Sequence, residues 1–355
     1  MSARKLSVAS DRLGSHLTEG AAAVGAFVTT GRWLVEWLHE LVGRRVGLAV
    51  TEADLRRSAT VGGYGQHFPE PTDGPLRVRA ETAQILAYSA LDYFGAVGAW
   101  RSTRPLIQRV RERIESPELA AEAVAVFGQA VPWVGLFDEH KFAALVEQTR
   151  QQRGQAAAEA LATVSEEALL AESMKPWSSC KSPEWTDPIR LSELFTSESV
   201  LTSFGPFIDQ RFIDYLVCNF DEIGSINWRK FEALVAERFH RAGLGVEIGP
   251  GRNDDGIDLR IWDAGIELEA PPLMVVQCKR EKRSISKVVV KALAADVAWH
   301  GAACGLLVTT SEWSPGARTT ARTRNYPVHE VNRAALASWI QEMRSPSVGL
   351  WTPGR

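Results

Sequence analysis

The spacing of apolar residues changes near residue 225, and that change constrains the fold more than any other feature of the chain. Before it, the intervals are helical. Leu17, Val24, Phe27, Val28, Trp33, Leu34, Trp37, Leu38 and Leu41 recur with a period near 3.6, so residues 15–45 read as a helix with Gly43 as its stop. Residues 58–76 are crowded with Gly and Pro and read as a loop. Helical patterning resumes over 79–100, 104–114 and 117–130, then over 139–174, a stretch without Pro and rich in helix formers. Strand signals are almost absent from this part, which predicts a mostly all-α N-terminal domain.

After residue 225 short apolar runs alternate with helical ones. Asn227 is placed to cap a helix over 228–242 that Gly243 stops. Strands fit 246–248, 257–262, 266–269 and 273–279, with a turn at Asp263-Ala264-Gly265. A helix over 287–299 precedes 305–310, whose continuous apolar run suits a strand covered on both faces. A helix near 317–323, a strand at 328–331 and a terminal helix over 334–343 follow. The expected fold is an α/β domain, a mixed sheet flanked by helices, over 206–355, preceded by a helical domain over 1–205. The break at 175–188, with three prolines and two tryptophans, fits a linker or an ordered loop.

Composition permits this division. A chain of 355 residues holds about two domains, and its 45% apolar and 23% charged content suits ordinary cores. Four cysteines, at 180, 218, 278 and 304, are too few and scattered for a disulfide framework or a cysteine-based zinc site. No signal-peptide pattern opens the chain, and charges interrupt the apolar stretch 21–50 before it could span a bilayer. A cytoplasmic protein without a membrane partner is expected. The net charge of −3 hides an asymmetry: residues 226–355 carry 18 Lys+Arg and 14 Asp+Glu. That sign permits nucleic-acid binding without requiring it.

The residues with chemistry lie in the second part. Asp258 begins one expected strand after a Gly-containing turn, between apolar Ile257 and Leu259. Gln277 and Lys279 end the next strand, two apart and so on one face. A carboxylate, an amide oxygen and an ammonium at adjacent strand ends suit a hard divalent cation and a polarised water, the requirements of phosphodiester hydrolysis. The Cys278 carbonyl offers a further oxygen. Taken singly, each has a blander reading: Asp258 as a turn cap, Gln277 and Lys279 as a solvated strand end, Glu232 as a surface residue of an amphipathic helix. Asp255 reads as part of the turn. Arg280, Lys282, Arg283, Lys287 and Lys291 form either a solvated face or a phosphate track, and Arg318, Arg322 and Arg324 favour the solvated reading. His300 reads as a helix C-terminal residue.

In order, these pieces resemble a known family. Phe231-Glu232, Gly256-Ile257-Asp258, Gln277-Cys278-Lys279 and Thr309-Thr310, with the lead-in Phe207–Leu216, are similar to the Mrr-like restriction endonuclease domain of the PD-(D/E)xK nuclease superfamily. The resemblance covers residues 206–342, about 40% of the chain. It implies a restriction-endonuclease-like fold and a DNA endonuclease with catalytic residues Asp258, Gln277, Lys279 and Glu232. Asp258, Gln277 and the Cys278 carbonyl would hold Mg²⁺, with Mn²⁺ a substitute, and Arg280, Lys282, Arg283 and Lys287 would contact DNA. Gln277 stands where the superfamily more often has an acid, which leaves one charge fewer for metal. The resemblance further implies a bacterial restriction or anti-phage role and a homodimer or higher homo-oligomer, because duplex cutting needs two sites. The helical domain would serve recognition, regulation or oligomerisation. Two alternatives stay open: a non-catalytic nucleic-acid-binding or interaction module on a nuclease fold, or an effector nuclease switched by a ligand or partner protein at the helical domain.

Overall fold

The computed structural model describes residues 26–96, 106–131, 138–173, 185–199, 202, 204–251, 256–266 and 270–344. The chain divides into two compact units, one ending at Pro188 and the other spanning Ile189–Ser345.

The first unit is helical, with one strand pair that the apolar spacing did not suggest. β1 (Ala26–Thr30) pairs antiparallel with β2 (Pro75–Arg79). The expected helix over 15–45 therefore begins only at Gly31, as α1 (Gly31–Val46), and its residues before 26 lie outside the described ones. Phe27, Val28, Thr29 and Thr30 are aromatic or β-branched, types that favour a pleated strand, and Thr30 turns the chain into α1 by accepting the Trp33 N–H. Gly43 does not stop α1 but lies buried within it; Gly47 ends it. The expected loop 58–76 is entered by α2 (Glu52–Val61), closed at its start by a Thr51–Asp54 capping box. α3 (Ala80–Tyr93), α4 (Leu106–Arg111) and α5 (Pro117–Ala130) follow.

The single helix expected over 139–174 is two, α6 (Glu139–Arg153) and α7 (Gln155–Ser173). Gly154 between them has φ 91°, ψ 175°, a conformation foreign to a helix and open chiefly to glycine. Phe127 of α5 and Leu161 and Val164 of α7 form a core that also holds Val110. Beneath it Arg109 and Glu167 are both almost wholly buried, with Nε and Oε2 3.7 Å apart and Arg109 Nη2 donating to the Glu167 carbonyl at 3.1 Å.

The second unit has the expected α/β order. α8 (Gln210–Cys218) and α9 (Trp228–Arg241) precede a five-stranded sheet of β3 (Gly245–Ile248), β4 (Leu259–Trp262), β5 (Met274–Lys279), β6 (Cys304–Thr309) and β7 (Val328–Val331). Strand order follows the sequence: β3–β4 and β4–β5 are antiparallel, β5–β6 and β6–β7 parallel. Parallel neighbours need crossovers, supplied by α10 (Lys287–Trp299) and α11 (Pro315–Thr323). Their apolar faces cover one side of the sheet, with Val290, Leu293 and Val297 against Val275 and Leu307. α12 (Arg333–Glu342) closes the unit. Strand 257–262 begins two residues late, at Leu259, and the expected strand 266–269 lies outside the described residues beyond Ile266, which is not in a strand.

Polar groups tie α8, α9 and α12 together, with the half-exposed Arg241 joining buried Glu237 and Gln210. Arg241 donates to Glu237, to Gln210 Oε1 at 2.6 Å and to the Met343 carbonyl at 2.7 Å. Arg211 and Asp209 pair in the interior at 2.8 Å. Each charge taken from water thus has a partner, which burial demands.

Candidate active site

The late start of β4 is what aims Asp258. Leu259 opposes Val276 in the β4–β5 ladder, and the Asp258 N–H also donates to the Val276 carbonyl at 3.0 Å. Two consecutive residues thus meet one across the strand, the arrangement of a β-bulge, which bends a strand and redirects its side chains. Ile257 drops into the core beneath α10. Asp258 Oδ2 instead accepts the Cys278 N–H at 2.6 Å, and the Asp258 carbonyl accepts the Gly249 N–H at 2.8 Å.

Gln277 is buried, with 7% exposure. Its Nε2 donates to the Gly256 carbonyl at 2.8 Å. That contact fixes which way the amide points, because the reverse would set two carbonyl oxygens together. Gln277 Oε1 is consequently turned into the interior, where it has no hydrogen-bond partner among the described residues. A buried acceptor left so costs about 1–3 kcal/mol. Gly256, at φ 84°, makes the geometry accessible: a Cβ there would stand 3.1 Å from Gln277 Nε2.

Lys279 is half-buried at the end of β5, opposite Thr309 of β6. Its carbonyl accepts the Thr310 N–H at 3.2 Å. Thr309 is fully buried, and its hydroxyl meets Ser311 Oγ at 3.1 Å and accepts the Ser311 N–H. Thr310 Oγ1 donates to the Glu281 carbonyl and Ser311 Oγ to the Arg283 carbonyl, so the end of β6 holds the basic loop after Lys279 in place.

Glu232 on α9 is buried and ion-paired. Its Oε2 accepts from Arg229 Nη1 at 2.9 Å, and the same nitrogen reaches the Gly249 carbonyl at 2.7 Å. Arg229 therefore links the helical acid to the residue that bonds Asp258. Sequence reasoning missed both Arg229 and the Gly256 carbonyl. Gly256 stood within the Gly-Ile-Asp run, whereas nothing about Arg229 distinguished it from other helix arginines.

The thiol of Cys278 registers how these groups converge. Burial pushes it well above the ordinary cysteine range, the charges of Asp258 and then Glu232 push further, and Lys279 opposes them. Three of the four residues proposed from sequence as catalytic thus act electrostatically on one sulfur, and Gln277 is its chain neighbour. No three His, Cys, Asp or Glu side chains cluster as a metal-binding group among the described residues. A cation here would depend on Asp258 and neutral oxygens, with Gln277 Oε1 the unsatisfied one; this donor set suits a hard ion such as Mg²⁺. Asp254 and Asp255 lie outside the described residues.

The basic residues divide. Lys282, Arg283 and Lys287 are exposed. The Arg280 guanidinium donates to the Ile226 carbonyl and is partly engaged in holding the loop. Arg318 is gripped by Glu330 and Glu312 at 2.7–2.8 Å, as its solvated-face reading requires. A cleft of about 610 Å³ runs beside the loop, lined among others by Lys282, Ser284, Thr310, Ser311 and Arg333.

Residues 223–340 match the Mrr catalytic family, described as restriction endonuclease. A solved structure of the MspJI restriction endonuclease in complex with a 27-mer oligonucleotide is similar at 19% identity and a TM-score of 0.28, over 56% of this chain. The match spans 45% of that protein's chain. No curated protein matches. Among the described residues no helix is long and apolar enough to cross a membrane.

Proposed function

We propose that the chain is a Mg²⁺-dependent DNA endonuclease acting in bacterial restriction or anti-phage defence in the cytoplasm, with residues 206–355 as its catalytic domain. The restriction endonuclease match supports the nuclease reading. The observation that carries the metal is the buried Gln277 Oε1, which has no hydrogen-bond partner among the described residues, one position from the Cys278 N–H that Asp258 accepts. Asp258, Gln277 Oε1 and the Cys278 carbonyl would hold Mg²⁺, or Mn²⁺ in its place. When bound, the ion supplies Lewis acidity toward the phosphate and lowers the pKa of a water.

The chain's own groups do the rest. The Lys279 ammonium orients the attacking water and offsets charge developing on the phosphate as the P–O bond to the leaving sugar oxygen breaks. Glu232, neutralised in part by Arg229, acts from behind Asp258 by holding the Gly249 turn. Lys282, Arg283 and Lys287 carry the DNA backbone past the site, with Arg280 securing the loop. The helical domain over 1–205 supplies recognition, regulation through a ligand or partner protein, or oligomerisation, and a homodimer cuts both strands.

The test is nicking of supercoiled plasmid, methylated and unmethylated, by wild type, Asp258→Asn and Lys279→Ala, with Mg²⁺ and with EDTA. Wild type should nick only with the metal, and both variants should lose at least a hundredfold in rate. Equal activity in wild type and Lys279→Ala would end the assignment. Salt-sensitive DNA binding without cleavage of any substrate would instead favour the non-catalytic module.

A further inference from the structure

Six large apolar side chains are conspicuously exposed among the described residues, and two of them, Val288 at 67% and Trp299 at 84%, lie on α10. They share one stripe. Val288, Ala292, Ala295 and Trp299 follow intervals of four, three and four, the spacing of a seam that packs against another helix. All four are exposed, while Val290, Leu293 and Val297 on the opposite side fill the core. α10 is therefore apolar on two faces, and its own sheet uses only one. Two residues past Trp299, Gly301 has Pro271 Cβ 3.7 Å from where a Cβ there would stand, and Leu273 is 38% exposed.

The flanks of the stripe carry opposite charge. Lys291 stands on one side and Asp296 on the other, five positions later. In two parallel helices related by a two-fold axis, a residue on one flank meets the partner's opposite flank five positions on, so Lys291 faces the partner's Asp296 twice over. Antiparallel helices would instead bring like flanks together. Direction matters in a second way. The N-terminus of α10 follows the loop that leaves Lys279, so it marks the active-site end of the domain. A two-fold axis along parallel α10 helices sets both sites at one end, facing the same duplex; an antiparallel pairing would set them at opposite ends.

We infer that the Val288–Trp299 face of α10 is a homodimer interface, seated on the same helix of a second copy in parallel. The choice of direction rests on the nuclease reading; the seam and the charge pattern stand without it. A helix of 13 residues spans about 20 Å, so Leu273 and Pro271 would widen the contact.

The experiment is sedimentation equilibrium of the full chain as wild type, Trp299→Glu, Ala295→Glu, Lys291→Asp, Asp296→Lys and the Lys291→Asp/Asp296→Lys double variant. Thermal melts accompany it, because Asp296, unlike the other positions, is half-buried and its substitution must be shown to leave the fold intact. Wild type should dimerise, and Trp299→Glu and Ala295→Glu should raise the dissociation constant at least tenfold with melting unchanged. Each charge reversal alone should weaken the dimer, and the double variant should restore it. The monomeric variants should still nick plasmid yet fail to linearise it in one encounter. A dimer that forms while neither wild type nor variant cleaves DNA upholds the interface and rejects the nuclease reading. A monomeric wild type, or a dimer indifferent to Trp299→Glu and Ala295→Glu, overturns the interface. So does an intact dimer whose DNA binding falls with Trp299→Glu, because the stripe would then belong to nucleic acid.

Discussion

Gly256 shows how a single backbone conformation can set the chemistry of a neighbour. At φ 84° it lies where a side chain is strained, and its carbonyl is the anchor for Gln277 Nε2. Gly256→Ala adds two penalties. The left-handed conformation costs about 1–2 kcal/mol for a residue with a Cβ, and the new methyl stands 3.1 Å from Nε2, tighter than an ordinary contact. The chain can relieve both by rotating the peptide, but then the Gly256 carbonyl leaves Gln277 and the amide is free to turn. We expect Gly256→Ala to lower stability by about 1–2 kcal/mol and to weaken apparent Mn²⁺ affinity, measured by calorimetry, more than Gly154→Ala does. Gly154 also has positive φ but stands far along the chain in α6–α7 with open space around it. Equal Mn²⁺ binding in both variants would show that the amide orientation does not matter to the cation.

At the scale of elements, stability and legibility follow different rules in the two units. Much of the second unit is readable because period and burial agree there. Cys304–Thr309 is an apolar run in a sheet covered by helices, and Lys287–Trp299 has its expected bounds because Ser286 and His300 flank one uninterrupted helical pattern. That Asp258 would lie against the strand carrying Gln277 and Lys279 was readable for the same reason. The bulge was not, because it resides in which carbonyl the Asp258 N–H chooses, and composition is blind to that choice. The first unit misled where spacing was ambiguous: Phe27 and Val28 fit a helical stripe but are strand residues, paired with Val78 and Arg77, 51 and 49 positions away, in a register no local pattern reveals. The Arg109–Glu167 pair is equally non-local, 58 positions apart and joining α4 to α7. Arg113 reaches Glu167 Oε1 at 3.3 Å and Glu166 at 2.8 Å, completing the cluster. Removing one partner of a buried pair leaves the other charge without compensation, at about 3–5 kcal/mol. Glu167→Ala should cost this much in urea unfolding, and Glu166→Ala, whose pair is exposed, under about 1 kcal/mol. Similar small losses in both would mean water reaches Arg109.

For the whole molecule the question is how a chain of net charge −3 would hold DNA. Residues 226–355 carry a net +4, so the remainder is −7, and attraction must be local rather than global. On the proposed function, the exposed Lys282, Arg283 and Lys287 beyond Lys279 would concentrate that attraction at the site, whereas Arg280 already spends its guanidinium on the Ile226 carbonyl. This division predicts different consequences for residues adjacent in sequence. Each lost phosphate contact should lower the slope of log affinity against log salt by about 0.9. Lys282→Ala/Arg283→Ala, in an inactive Lys279→Ala background to prevent cutting, should therefore weaken binding and flatten that slope, with the melting temperature unchanged. Arg280→Ala should lower the melting temperature, because a carbonyl at the start of α9 loses its donor and the loop its anchor. Fluorescence anisotropy over a salt series, beside thermal melts, separates the two. If the double variant keeps the parent's slope, the loop is a solvated surface and DNA must follow another path, for which the cleft lined by Ser225, Ser284 and Arg333 would be the next place to substitute.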